Sequence, residues 1–330
     1  MTQTTAGEFY LICPEKYHYE LSTLIREYLP LVNVTAERRE GVEGILLSED
    51  LQQAVLLDGA GKVLFESHAR TSRDGCFTGY VGENRKNHAK VAMARVLEKH
   101  TGREIPWGIL TGVRPSKVAY QYQLEGRTEE ETVRILRDHY LLREDKARLC
   151  SRVAASERSL MADQRGEDIS LYLGVLFCPT RCSYCSFISN DRRAYDRYAA
   201  SYVDCLIREM EETAPALQGR RINSFYMGGG TPTTLDAGSL ERILTTADRL
   251  FDLKSMKEVT VEAGRPDTIT PEKLEVLKAC GVDRISINPQ TMNQRTLDAI
   301  GRAHSVEAVT EAFYMAREAG FDNINMDLIV

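Results

Sequence analysis

The stretch LYLGVLFCPTRCSYCSF, residues 171–187, decides the fold. An apolar run with strand character leads without a break into three cysteines, Cys178, Cys182 and Cys185, at spacings of four and three residues. The chain has eight cysteines in 330 residues, and the other five stand far apart at 13, 76, 150, 205 and 280. A secreted disulfide scaffold is shorter and more evenly stapled, so these read as reduced thiols and the compartment expected is cytoplasmic. The N-terminal MTQTTAGEFY has no basic-then-apolar signal layout, and no apolar run approaches the roughly 20 residues that span a bilayer. Forty-two basic against 48 acidic residues leave a net charge of −6, which argues against a surface devoted to nucleic acid.

Three thiols on one loop allow few chemistries. A disulfide between two of them would leave an odd thiol beside it. A structural zinc takes four N or S ligands, and in the 20 residues after Cys185 the only His or Cys is Cys205, on a helical-period stretch. Three corners of a cubane iron–sulfur cluster suit the triplet best, with the fourth iron left open to a further group.

Working outward, strands recur at 171–177, 222–227, 258–263, 283–288 and 323–330, with helical segments between them. Ala199, Tyr202, Val203, Leu206, Ile207 and Met210 lie at helical spacing, as do Leu240, Ile243, Leu244, Ala247 and Leu250. Thr270-Pro271 supplies an N-cap and N1 proline, Gly281 a stop, and Ser305 a cap for a last helix ending at Gly320. This alternation predicts an α/β parallel sheet, and without a dinucleotide-binding fingerprint a barrel or partial barrel. A sheet of five strands ending inside a strand at Val330 is expected to be incomplete.

The preceding part reads as a mixed α+β domain over 1–165, joined through the polar MADQRG (161–166) to the barrel domain at 166–330. GVEGILLSEDLQQAVLLDGAGKVLFES (41–67) predicts two strands about a turn at Gly61-Lys62. His88–Lys99, Thr128–Leu142 and Lys146–Leu160 predict helices, and PWGILTGVRPSK (106–117) a packed, turn-rich loop.

CPTRCSYC is the C-x3-C-x2-C signature of the radical S-adenosylmethionine (SAM) superfamily, which this chain resembles. YMGGGTPTTL (226–235) is similar to that family's glycine motif. VEAGRPD (261–267), SINPQTMNQRTLDAIGR (286–302) and NMDLIV (325–330) resemble later motifs of its oxygen-independent coproporphyrinogen oxidase branch. VEAGRPDT, INPQTMN and WGILTGVRPSK look most like the HemZ-type coproporphyrinogen dehydrogenases.

The resemblance implies a partial (β/α) TIM-like barrel, a [4Fe-4S] cluster on Cys178, Cys182 and Cys185, and SAM as cofactor. Tyr172 and Tyr184 match aromatic positions near cluster and SAM, Gly229 and Gly230 the glycine motif. Glu262, Gln290, Arg302 and Asp327 match polar positions that contact SAM. No catalytic side chain is singled out, and His304 reads as a lone capping or packing histidine. All of the matched positions except Arg302 and Tyr172, which opens the first strand, fall at or just beyond the C-terminal ends of strands, where barrel enzymes build their sites.

The implied reaction is oxidative decarboxylation of coproporphyrinogen III to protoporphyrinogen IX, with flavodoxin or ferredoxin as one-electron donor. In it a radical made from SAM removes a hydrogen atom from a propionate side chain, carbon dioxide leaves, and a vinyl group remains. Two departures stand out. Gly174-Val175-Leu176-Phe177 replaces the branch's usual His-Ile-Pro-Phe, and Phe187 stands where it usually carries a further Cys. Two alternatives stay open: a haem-binding chaperone that keeps cluster and SAM, and a radical SAM enzyme acting on tRNA. The acidic charge and the lack of a basic–aromatic patch count against the latter.

Overall fold

A computed structural model describes residues 7–69, 85–111 and 114–329. Cys76, Gly112 and Val113 of the 106–117 loop, and Val330 lie outside the described residues. The chain forms two compact units, Met1–Asp163 and Gln164–Val330, a division that falls inside the polar 161–166 stretch.

In the first unit, β1 (Glu8–Ile12) is followed by α1 (Glu15–Tyr28), β2 (Asn33–Thr35), β3 (Gly44–Leu47), β4 (Gln53–Leu57) and β5 (Val63–His68). The sheet runs β2-β1-β3-β4-β5, with β1 parallel to both neighbours and β3, β4 and β5 antiparallel. The stretch expected to give two strands therefore gives three. An extra reversal at Ser48–Gln52 puts Leu51 in the left-handed region at φ 62°, with its side chain buried. The helices α2 (Arg85–Thr101), α3 (Pro115–Leu124), α4 (Glu129–Tyr140) and α5 (Glu144–Leu160) complete the unit. Thr128 caps α4 through a reciprocal capping box with Glu131, which satisfies two amides that the helix itself leaves unpaired. The loop expected over 106–117 stops early, because Pro115 opens α3 at a position where its missing N–H costs nothing.

In the second unit five parallel strands alternate with helices. These are β6 (Ile169–Val175), β7 (Ile222–Gly229), β8 (Glu258–Glu262), β9 (Arg284–Ser286) and β10 (Asn323–Asn325). The helices are α6 (Arg192–Thr213), α7 (Ala237–Phe251), α8 (Pro271–Ala279), the short α9 (Gln294–Ala299) and α10 (Val306–Glu318). The order β10-β9-β8-β7-β6 is sequential and never reverses, the winding of a barrel wall rather than of a doubly wound sheet. The fold is α/β, a partial barrel.

Two expectations change here. Tyr172 does not open its strand but sits mid-way along β6, because pairing of Ile169 with Ile222 starts the ladder earlier. The strand expected over 323–330 closes at Asn325, and Met326–Ile329 continues irregularly with Leu328 bridged to Gln290.

Alternation along these strands separates two faces. Leu173, Val175, Phe225, Met227, Val259, Val261 and Ile285 are buried in one apolar cluster with Leu240, Ile243, Leu244, Leu274 and Leu277 of α7 and α8. Each such side chain contributes about 1.5–3 kcal/mol of burial. The opposite face is polar. Register aligns Tyr172, Tyr226, Thr260, Arg284 and Asn323 in one row across it, and Glu262, Ser286 and Asn325 in the next. A parallel sheet covered by helices on both faces is apolar on both. This one is not, and the polar face is the inner wall of the partial barrel.

Candidate active site

The cysteine loop leaves the C-terminal end of β6 and is tied down at several points. Cys178 N–H donates to Asn190 O (3.0 Å), and Asn190 N–H donates back to Leu176 O (2.8 Å). Ser183 N–H donates to Ile300 O (3.0 Å), and Thr180 Oγ1 donates to Gly301 O (2.8 Å). Gly301 has φ 79°, and a Cβ there would lie 2.9 Å from Arg181 O. Only glycine takes that backbone at that separation.

Arg302 adds the next tie. It is buried, and its guanidinium donates from Nη1 to the carbonyls of Gly264 (2.9 Å) and Asn288 (2.8 Å), and from Nη2 to Tyr184 Oη (3.2 Å). It thus joins the ends of β8 and β9 to the cysteine loop, a task that sequence reasoning did not assign to it. Its Nε is buried without a partner.

The glycine motif packs on the same strand. Gly229 has φ 104°, and a Cβ on it would come within 2.8 Å of Val175 O; at Gly230 a Cβ would come within 2.5 Å of Phe177 O. The amides of Gly230 and Thr231 donate to Val175 O (2.6 Å) and Phe177 O (2.8 Å). Thr231 Oγ1 and Cys178 Sγ share a hydrogen bond at 3.3 Å. Burial pushes the Cys178 thiol up, against the pull of Thr231 and the positive charge of Arg265.

On the inner face the rings of Tyr172 and Tyr226 stack, centroids 5.8 Å apart and 11° from parallel. Tyr226 Oη donates to Glu262 Oε1 at 2.6 Å. Gly228 leaves room for both neighbours: a Cβ there would stand 3.1 Å from Glu262 Cδ and 3.1 Å from Tyr172 Oη. Burial raises the Glu262 pKa, the Tyr226 hydrogen bond lowers it in part, and the charge of Asp327 raises it further. Burial and then the Glu262 hydrogen bond push the Tyr226 phenol up.

Gln290 and Asp327 meet through backbone. Gln290 N–H donates to Asp327 O (3.0 Å), and Ile329 N–H donates to Gln290 O (2.8 Å). Gln290 is buried and left-handed at φ 62°, a conformation that a non-glycine residue holds only when its surroundings impose it. Asp327 is exposed and accepts from Asn325 Nδ2 at 2.9 Å.

The residues singled out from sequence therefore gather in three groups, one of them the Gln290–Asp327 pair. Tyr172 and Glu262 share the inner face. Tyr184, Arg302, Gly229 and Gly230 surround the three cysteines. Three participants were missed: Tyr226, Thr231 and Arg265, which donates from Nη1 to Cys182 Sγ at 3.4 Å. Tyr226 was findable, since it faces the same way as Tyr172 by strand alternation. A cleft of about 400 Å³ along β6 is lined by Leu171, Tyr172, Tyr202, Cys205 and Phe225, and shares Tyr172 with this site.

Residues 173–330 match the Radical SAM superfamily. The second unit is a radical SAM domain. Radical SAM proteins bind a [4Fe-4S] cluster and SAM. Among the described residues no three His, Cys, Asp or Glu side chains converge where one metal ion could sit. Thiols that each take a different iron of a cubane need no common point. The donor set fits such a group: three thiols on one anchored loop, with a buried cation at one of them.

Among curated relatives, the oxygen-independent coproporphyrinogen-III oxidase-like protein HemZ of Bacillus subtilis is 38% identical over 250 residues, 74% of this chain and 50% of HemZ. The haem chaperone HemW of the same organism is 35% identical over 161 residues, 48% of this chain and 42% of HemW. The chain spans about half the length of the curated relatives it matches. Among solved structures, coproporphyrinogen III oxidase (HemN) of Escherichia coli aligns with a TM-score of 0.45 at 29% identity, over 52% of this chain and 40% of that one.

Proposed function

We propose that the radical SAM domain holds a [4Fe-4S] cluster on Cys178, Cys182 and Cys185 and binds SAM against its inner face. In this reading the whole protein serves the oxidative decarboxylation of coproporphyrinogen III to protoporphyrinogen IX, with flavodoxin or ferredoxin as electron donor. The observation that carries the substrate class is the extent of likeness to HemZ. Its 250 aligned residues are too many to fit within 173–330, so the likeness runs into the first unit.

When bound, the reduced cluster and SAM supply one-electron cleavage of a sulfonium and hydrogen-atom abstraction. The chain supplies binding and orientation. Cys178, Cys182 and Cys185 bind iron from a loop held by Ile300, Gly301 and Arg302. Glu262, aimed by Tyr226, accepts hydrogen bonds from hydroxyl or amino groups of SAM. Tyr172, stacked on Tyr226 and 60% exposed, offers an aromatic face. Gln290 and Asp327, joined through backbone, would add polar contacts to SAM, and the Arg302 Nε, buried without a partner, would be a further donor.

A second reading is favoured by one observation. Phe187 stands where the oxidases usually carry a Cys, and its side chain is 60% exposed. A haem chaperone would keep the cluster and bind haem without turnover. Anaerobic incubation with coproporphyrinogen III, SAM and a one-electron donor separates the two. Divinyl product seen by chromatography supports the enzyme, whereas stable haem binding with no new vinyl group overturns it.

A further inference from the structure

Arg265 takes no part in the reading above, and its surroundings are unusual for a cation. It follows β8, is 2% exposed, and forks in two directions. Forward, Nη1 donates to Cys182 Sγ at 3.4 Å and Nη2 to Thr180 Oγ1 at 2.8 Å. Backward, Nε donates to Asp267 Oδ1 at 3.3 Å. Asp267 Oδ1 in turn lies 3.8 Å from Nδ1 of His304, whose side chain is fully buried.

A buried guanidinium is costly unless a carboxylate accompanies it, and Asp267 does. Burial pushes the Asp267 carboxyl up, but the His304 contact and the Arg265 charge outweigh it and hold the carboxyl below its usual range. The guanidinium thus turns Nη1 and Nη2 to the cysteine loop while its Nε side is paired with Asp267. The loop has ties besides Arg265, since Ser183, Thr180 and Tyr184 are also bonded to Ile300, Gly301 and Arg302. Arg265 is the guanidinium that reaches the Cys182 sulfur directly, beside the Tyr184 hydroxyl.

We infer that Arg265 is a positioning residue for the iron–sulfur cluster: its guanidinium aims Cys182 and offsets the negative charge of the thiolate–iron unit, with Asp267 and His304 as its buttress. This rests on the reading of Cys178, Cys182 and Cys185 as cluster ligands. A cluster on three thiolates gains one more negative charge on reduction, so a cation fixed in a low-dielectric site favours the reduced form. Groups beside the ligands tune a metal centre in this way. A residue that merely stapled two loops would leave the reduction potential where it was.

The test uses the whole chain, reconstituted anaerobically with iron and sulfide, as wild type, Arg265→Gln and Arg265→Lys. Readouts are thermal melting before reconstitution, iron content, the rate of iron loss to a chelator, and the midpoint potential followed by electron paramagnetic resonance without SAM. Arg265→Gln should fold, show a more negative midpoint, and lose iron roughly ten-fold faster, the scale of one charged hydrogen bond. Arg265→Lys should restore most of the potential while losing iron at an intermediate rate.

Wild-type potential and wild-type iron retention in Arg265→Gln would overturn the inference and leave the cluster reading intact. If Arg265→Gln does not fold, Arg265→Lys decides, and iron loss at the wild-type rate overturns it. A wild-type chain that takes up zinc and no iron overturns the cluster reading first and this inference with it.

Discussion

Glu262 points its carboxylate at a half-buried place where a charge is uncomfortable. Its pKa is raised by burial and by the nearby charge of Asp327, with Tyr226 pulling the other way. A raised folded-state pKa means that the folded chain binds this proton more tightly than the unfolded one. The ionised group therefore costs stability, and the cost grows as pH rises from the ordinary value of about 4.3 through the folded value. Glu262→Gln keeps an acceptor for the Tyr226 hydroxyl and removes the charge. Its melting temperature without ligand should exceed wild type near pH 7, with the gain vanishing towards about pH 4. SAM affinity measured by calorimetry should fall roughly ten-fold or more, as when one charged hydrogen bond is lost. A gain that grows on acidification, or unchanged SAM binding, would contradict this account. The same residue marks how far the sequence carries at this scale. That Glu262 follows Val259 and Val261 on a strand is visible in the letters. That Arg265, three residues on, turns inward to a cysteine sulfur is not, because no local pattern distinguishes a buried arginine from a solvated one.

At the scale of elements, the contact that builds the site is the close approach of β7 to the end of β6. Gly230 has no space for a Cβ beside Phe177 O, and Phe177 directly precedes Cys178. Gly230→Ala must push the two strand ends apart, at a cost of about 1–3 kcal/mol by the usual range for overpacking. Urea unfolding should register that loss, and iron content should fall with it because Cys178 moves. Gly238→Ala, in the first turn of α7 with its nearest neighbour 3.4 Å from the added Cβ, should be neutral or stabilising by up to about 1 kcal/mol. Equal stability and full iron in Gly230→Ala would refute the packing argument. The elements of the second unit are well legible because each strand alternates against a helix-covered core and each helix carries a cap such as Thr270 or Ser305. The first unit is less so. In α1, Leu21, Leu24, Ile25 and Tyr28 do lie at helical spacing, but β1 and β2 are short and partly polar and β3 has only four residues. Their pairing joins residues distant in sequence, which a local window does not see.

At the scale of the molecule the question is which thiols bind iron. Seven described cysteines are free, and they divide by environment. Cys13 and Cys150 lie in the first unit and are pushed up to about 11 by burial, whereas burial also raises Cys178 but Thr231 and Arg265 pull it back towards the thiolate that iron requires. Cys280 is also raised by burial, with Glu241 and Asp248 adding to it, and it caps α8 away from the loop. Cys205 is exposed on α6. Only Cys178, Cys182 and Cys185 share one anchored loop with a buried cation beside it. Reconstituted anaerobically, the wild-type chain should hold about four irons and four sulfides, the content of one cubane. Substituting any of the three loop cysteines with Ala should abolish the visible absorption and most of the iron. Cys205→Ala and Cys280→Ala should retain both. Iron that survives Cys182→Ala but is lost in Cys205→Ala would move the cluster off the loop. It would also detach Arg265, Arg302 and the glycine motif from any part in holding it, since each reaches the iron only through the loop that Cys182 occupies.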